Sequence, residues 1–196
     1  MKLQVIIGTV REGRVTDRLG KWVAVEAKNL PDTTVEIVDL RDYPMPFFDE
    51  AVSPRYNPER KPKPEVKKFL DKVAEADAYV FVTPEYNRST TGVLKNAIDY
   101  LDFQLEKKPV QLVAHGSTGG AQAVANLRMA IPGVGAITVP QAVFMTDRVS
   151  ESISEDGELN AEIKARPFSP QENLKTALTN LQWYSDALVM ARAKAA

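Results

Sequence analysis

Cysteine is missing from the chain, which removes disulfides, thiolate nucleophiles and Cys-based zinc sites. Histidine is almost missing too: His115 stands alone, so a metal site built from several imidazoles has nothing to draw on. Nor is one sign of charge in excess. With 25 Lys and Arg against 26 Asp and Glu, no global field draws the protein to nucleic acid or to an anionic membrane, and any anion site has to be local. Long apolar runs are also lacking. The N-terminal run is stopped by Arg11 after a few residues, too soon for a signal peptide or a spanning helix, so a cytoplasmic protein is expected. What remains, 196 residues of which 44% are hydrophobic, suits a single domain over residues 1–196. A chain of that size buries about 70% of its unfolded surface.

No internal repeat is present; what recurs is a short apolar run followed by a helical pattern. Strands are expected at 3–7, 35–40, 78–83, 110–114 and 137–144, each a run of the kind buried on both faces of a parallel sheet. Between them lie a helix over 16–29, with Thr16 placed to cap it, one opened by Pro64, one over 92–103 capped by Thr91, and one after Gly119 and Gly120. The last helix starts at the capping box Ser169-Pro170-Gln171-Glu172. Strict alternation of strand and helix predicts an α/β fold, an open parallel sheet with helices on both faces that binds ligands at the carboxyl ends of its strands. That rule singles out the loops 8–16, 84–91 and 115–120. Two connections are longer than usual. Residues 41–63 carry five prolines and the aromatics Tyr43, Phe47, Phe48 and Tyr56, which suits a lid or partner surface as well as it suits a surface loop stiffened by proline. Residues 146–168 read as polar and acidic.

The loop Gly8-Thr9-Val10-Arg11-Glu12-Gly13-Arg14-Val15-Thr16 joins a buried strand to a helix N-terminus, where free N–H groups and the helix dipole favour an anion. Two arginines and two hydroxyls add donors. A nucleotide P-loop does not fit: Gly8 and Gly13 have its spacing, but Arg14 replaces the lysine and Thr16 lies one place late, which weakens a reading as an ATP or GTP site. A dinucleotide fingerprint is absent, although Asp39 imitates its ribose-binding acid from the end of strand two. A single terminal phosphate fits best, as in doubly wound domains of strand order 2-1-3-4-5 that hold FMN. After strand three, Thr83-Pro84-Glu85-Tyr86-Asn87-Arg88 offers an aromatic face, an amide and backbone groups, which a planar heteroaromatic ligand can use, although a plain polar loop has the same composition.

Taken together these loops resemble the NADPH-dependent FMN reductase family of flavodoxin-like proteins. Gly8-Thr9-Val10-Arg11 is similar to its G-S-x-R phosphate loop. Pro84-Glu85-Tyr86-Asn87 followed by Gly92-Val93-Leu94-Lys95-Asn96-Ala97-Ile98-Asp99 is similar to its P-E-Y-N…G-x-L-K-N-A-I-D segment, and Gly116-Ser117-Thr118-Gly119-Gly120 to its third, glycine-rich loop. The resemblance runs from about residue 3 to residue 145 and implies a flavodoxin-like three-layer sandwich. It further implies an oxidoreductase in which hydride passes from NADPH, or NADH, to bound FMN and then to a small-molecule acceptor. Thr9, Arg11 and Thr16, with help from Arg14, would hold the FMN phosphate. Pro84, Glu85, Tyr86 and Asn87 would pass along the isoalloxazine ring, and Gly116, Ser117 and Gly119 would approach its other edge. His115 stands where a tyrosine is common before the glycines and reads equally as a strand-end residue. Arg88 could meet the 2′-phosphate of NADPH or be a solvated loop charge. The resemblance also suggests a homodimer or homotetramer, for which the 43–56 aromatics with Tyr100 and Phe103 are candidates unless they belong to the core. The competing reading is a flavodoxin-like electron carrier, against which near-neutral charge and Arg11 with Arg14 both count.

Overall fold

The structure is a computed structural model describing residues 1–195. Five parallel strands, β1 (Lys2–Ile7), β2 (Thr34–Asp39), β3 (Ala78–Pro84), β4 (Pro109–His115) and β5 (Ile137–Met145), form one sheet in the order 2-1-3-4-5. The open parallel sheet is the one that alternation predicts, and its strand order makes the fold the flavodoxin-like sandwich that the resemblance implies. Successive residues of each strand point to opposite faces, and at the central strands β1, β3 and β4 both faces are dry. On β3, Val80 and Val82 join a cluster with Leu19, Trp22 and Val23 of α1 (Thr16–Ala27) and Leu174, Leu178 and Leu181 of α7 (Pro170–Ala195). Tyr79 and Phe81 face the other way. There they meet Val66 and Phe69 of α2 (Pro64–Ala74), Leu94 of α3 (Gly92–Asp99) and Leu127 of α4 (Ala121–Ala130). Burial on two sides explains why the strands are apolar runs rather than alternating ones. Among the described residues no helix is long and apolar enough to cross a membrane.

Element boundaries shift from the sequence reading for identifiable reasons. The strand at 35–40 gives up Leu40 to a 3-10 turn, because the Asp39 carboxylate accepts the Arg41 N–H at 2.9 Å and turns the chain. The helix expected over 92–103 stops at Asp99: Tyr100 and Leu101 bury, and the Asp102 carboxylate takes the Phe103 N–H that a longer helix would use. The 16–29 helix likewise ends at Ala27. Thr91 caps α3 as expected, accepting from Leu94 N at 3.1 Å, and Ser169 caps α7 through Glu172 N at 3.2 Å. Thr16 does not cap α1. It is the first helical residue, Val15 takes the cap position, and no side chain closes that end.

The two long connections are both ordered. Residues 41–63 form a strap pinned to α3: Asn96 Nδ2 donates to Pro46 O, Asn96 Oδ1 accepts Phe48 N, each at 2.8 Å, and the Tyr100 hydroxyl reaches the Pro46 and Phe47 carbonyls. Further along, Arg60 is nearly sealed from solvent between Glu50 and Asp102. Tyr43 and Phe48 pack inward, whereas Phe47, Tyr56 and Phe103 remain exposed. The segment read as polar and acidic holds two short helices, α5 (Val149–Ser152) and α6 (Ala161–Lys164), with a bridge of Ile153 to Leu159 between them, and together these bury Val149, Ile153, Leu159 and Ile163 on the α1 side.

Candidate functional site

In this strand order the chain leaves β1 in one direction and returns through β3 on the other side, so a crevice opens where the carboxyl ends of β1 and β3 diverge. Three loops meet there. The first is held down at its root: Gly8 N donates to Val82 O at 2.8 Å and Thr91 Oγ1 to Gly8 O at 2.5 Å. A side chain on Gly8 would come within 2.7 Å of Leu94 Cδ2, so this close approach requires glycine. Thr9 is buried, with Oγ1 3.1 Å from the Tyr86 hydroxyl, and Arg11 is exposed on the same loop.

Arg14, expected beside Arg11, turns away instead. Its guanidinium is almost fully buried against the Asp39 carboxylate and also donates to Thr9 O, leaving Nε as its one buried nitrogen without a partner. Burial alone would raise the Asp39 carboxyl. The Arg14 hydrogen bonds, the Arg41 N–H and the two guanidinium charges outweigh it and hold Asp39 below the usual carboxylate range.

The second loop follows Pro84, which sits opposite His115 in the β3–β4 register. Glu85 N donates to His115 O at 2.9 Å, and its carboxylate accepts from Gln122 N at 2.9 Å, closing the N-terminus of α4 from another loop. The Glu85 side chain is thus spent on α4, and only its backbone faces the crevice edge. Tyr86 and Ser89 exchange both backbone hydrogen bonds around Asn87 and Arg88, whose φ values of +49° and +64° make a type I′ turn. Both turn residues are exposed, and Arg88 O accepts from Asn126 Nδ2.

The third loop begins at His115, whose Nε2 shares a 2.8 Å hydrogen bond with Thr16 Oγ1 at the start of α1. Burial pushes this imidazole down to about 4, so it is neutral at neutral pH. Gly119 and Gly120 both have positive φ, and a side chain on Gly120 would lie 2.5 Å from Ala114 Cβ.

The structure therefore gathers Thr9, Arg11, Thr16, Pro84, Glu85, Tyr86, Asn87, His115, Gly116, Ser117 and Gly119 along one sheet edge, and joins the loops directly through Thr9 with Tyr86 and Thr16 with His115. Arg14 alone points to β2. The chemistry of the donor set fits a phosphate monoester: the uncapped first turn of α1, a buried hydroxyl and an exposed guanidinium, with Gly13 at φ +64° turning the chain into the helix. Sequence reading missed Arg14–Asp39 and the Glu85 cap. The first was within reach, because Asp39 ends β2 in register with Ile7, the residue before the loop.

Comparison with known proteins bears on the family and the fold. A NAD(P)H-dependent FMN reductase of Schizosaccharomyces pombe is 35% identical over 127 residues, covering 65% of this chain and 64% of that protein, so the match spans just under two thirds of the relative's length. An NADPH azoreductase of Bacillus sp. (strain OY1-2) is 33% identical over 182 residues, covering 91% of this chain and 93% of the relative. Among solved structures, the NAD(P)H:acceptor oxidoreductase FerB of Paracoccus denitrificans superposes with a TM-score of 0.73 at 23% identity, covering 93% of this chain and 98% of FerB, a likeness of fold. The pattern defining NADPH-dependent FMN reductases matches residues 1–151, which include all five strands and the three loops, and the chain belongs to that family.

Proposed function

We propose that the protein is an NAD(P)H-dependent FMN reductase, an oxidoreductase that binds FMN at the β1, β3 and β4 loops and passes electrons from NADPH or NADH to a small-molecule acceptor. The observation that carries this reading is the unclosed N-terminus of α1 beside buried Thr9 and exposed Arg11, facing the Tyr86 turn. Hydride acceptance from a nicotinamide and delivery of electrons to an acceptor are the chemistry that FMN supplies when bound. This chain's residues bind and orient. Thr9, Arg11, the first-turn N–H groups of α1 and Thr16 hold the phosphate, and the Arg11 charge offsets its negative charge. The backbone from Pro84 to Asn87 and the glycines of the third loop lie along the ring, with Tyr86 fixed by its contact to Thr9. Neutral His115 holds the third loop to α1 and has no charge to offer an anion at neutral pH. No side chain is required as an acid or base.

The same reading includes a homodimer or homotetramer, with exposed Phe47, Tyr56 and Phe103 as contact residues, and a cytoplasmic location. Free flavin, quinones and azo compounds are the acceptor classes to assay, the last because the Bacillus relative is an azoreductase.

The test is to incubate the purified protein with FMN, desalt it and record the visible spectrum, then add NADPH. Retained flavin bands that bleach with NADPH are the expected result, and bleaching separates a reductase from an electron carrier. Arg11→Ala should weaken FMN binding about tenfold, the scale of a lost charge-assisted hydrogen bond. No flavin retained and no quenching of flavin fluorescence in a titration would rule the reading out.

A further inference from the structure

Three consecutive carbonyl oxygens of the first loop are each taken by a guanidinium. Thr9 O accepts from Arg14 Nη1, Val10 O from Arg41 Nε at 3.4 Å, and Arg11 O from Arg41 Nη2. Asp39 ties the two arginines together: its carboxylate holds Arg14 through both terminal nitrogens and also accepts Arg41 N at 2.9 Å. In a trans peptide the C=O and N–H point in opposite directions. Anchoring these three carbonyls therefore turns the N–H groups of Val10, Arg11 and Glu12 away from the arginines, that of Arg11 meeting only a long 3.4 Å contact to Thr9 Oγ1. A carbonyl aimed at a phosphate repels it, whereas an N–H binds it. We infer that Arg14, Asp39 and Arg41 are positioning residues that set the polarity of the anion loop, so that it presents donors alone to the phosphate monoester of FMN. Arg14 and Arg41 act through the backbone and do not touch the phosphate. This rests on the FMN reading above and adds how that site tells FMN from riboflavin, which lacks the phosphate.

The inference differs in sign from a plain charge account. Asp39→Asn removes a negative charge near the loop and leaves both arginines, so if charge alone mattered FMN would bind as tightly or more tightly. A loosened loop binds it more weakly. The experiment is a fluorescence titration of the full, flavin-stripped chain with FMN and with riboflavin. Asp39→Asn should raise the FMN dissociation constant about tenfold, with riboflavin affinity unchanged within about twofold. Unchanged or tighter FMN binding overturns the inference, as does an equal loss for both flavins, which marks general damage to the fold. Should Asp39→Asn not fold, the exposed Arg41 serves in its place. Arg41→Lys keeps the charge but loses the forked donor, and it should lose FMN affinity about as far as Arg41→Ala. Full FMN affinity in Arg41→Lys overturns the inference. Failure of the wild-type chain to bind either flavin would instead strike the FMN reading, and this inference with it.

Discussion

His115 is held neutral by burial, with a folded pKa of about 4 against an ordinary 6.5. Between those values the unfolded chain takes up a proton that the folded chain refuses, so stability falls as pH drops from about 6.5 to 4. The loss at the bottom of that window is about 3 kcal/mol. Asp39 acts in the same direction in a lower window: its depressed carboxyl stabilises the fold above the ordinary carboxylate value of 3.8, and that contribution is lost as pH falls through the folded value. Urea unfolding at pH 5 and pH 7.5 separates the two. His115→Gln should remove most of the difference between these pH values, and an undiminished difference would show that another group carries it. The glycines divide just as sharply. At Gly120, φ is +84° and a side chain would meet Ala114 Cβ at 2.5 Å, whereas at Gly92, the first residue of α3, nothing lies within 4 Å. Gly120→Ala should cost about 2–5 kcal/mol, from a left-handed backbone plus overpacking. Gly92→Ala should be neutral or stabilise by up to about 1 kcal/mol, and matched urea midpoints for the two variants would contradict this. In the sequence, the 116–120 glycines look like room for a ring. At Gly120 the structure adds a second demand, from the chain's own strand β4.

Among the elements, the strap is the one whose behaviour was least legible. Its prolines and aromatics allow a lid or a stiff loop, and the bonds that decide between them join residues about fifty positions apart, which no local pattern reveals. Asn96 stands inside the segment that resembles the family's P-E-Y-N…G-x-L-K-N-A-I-D stretch, and its amide points into the strap rather than the crevice. Asn96→Ala should leave the sheet intact and cost about 2 kcal/mol, because two hydrogen bonds go and the Phe48 N–H is left without its partner. Cleavage by chymotrypsin at the exposed Phe47 should then become several-fold faster. Cleavage at the wild-type rate would mean that Tyr100 and Arg60 hold the strap without it. The 146–168 segment hides its buried residues for a different reason. Its buried residues are split among two single-turn helices, with Val149 and Ile163, and the isolated bridge of Ile153 with Leu159 between them, so no run is long enough to show a period among the acidic residues. By contrast β1, β3 and β4 were readable to within a residue or two, since strands buried on both faces are mostly apolar and only Gln4, Thr83 and Gln111 interrupt their interiors.

At the scale of the whole molecule, strand order decides which loops can act together, and that order followed from alternation and resemblance before any side chain was placed. The crevice was legible as three loops; the contacts that couple them were not, because Thr9 with Tyr86 and Thr16 with His115 pair residues 77 and 99 positions apart. Those contacts have a consequence for dynamics. Loop one touches loops two and three through these side chains, and loop two touches loop three through Glu85 N to His115 O, so the three are expected to open and close as a connected unit. A ligand bound only by the folded chain at a hundred times its dissociation constant stabilises it by about 2.7 kcal/mol. FMN should therefore slow amide exchange over 9–16, 85–89 and 116–120 together and by a common factor, while the strap, anchored to α3 by its own bonds, stays unchanged. Riboflavin at the same concentration should slow all three loops by a smaller common factor, because on the proposed reading it lacks the phosphate that the first loop holds. Hydrogen exchange read by mass spectrometry resolves these segments. Protection confined to one loop would show that the crevice contacts do not couple them, and equal protection of 9–16 by both flavins would move the phosphate away from the N-terminus of α1.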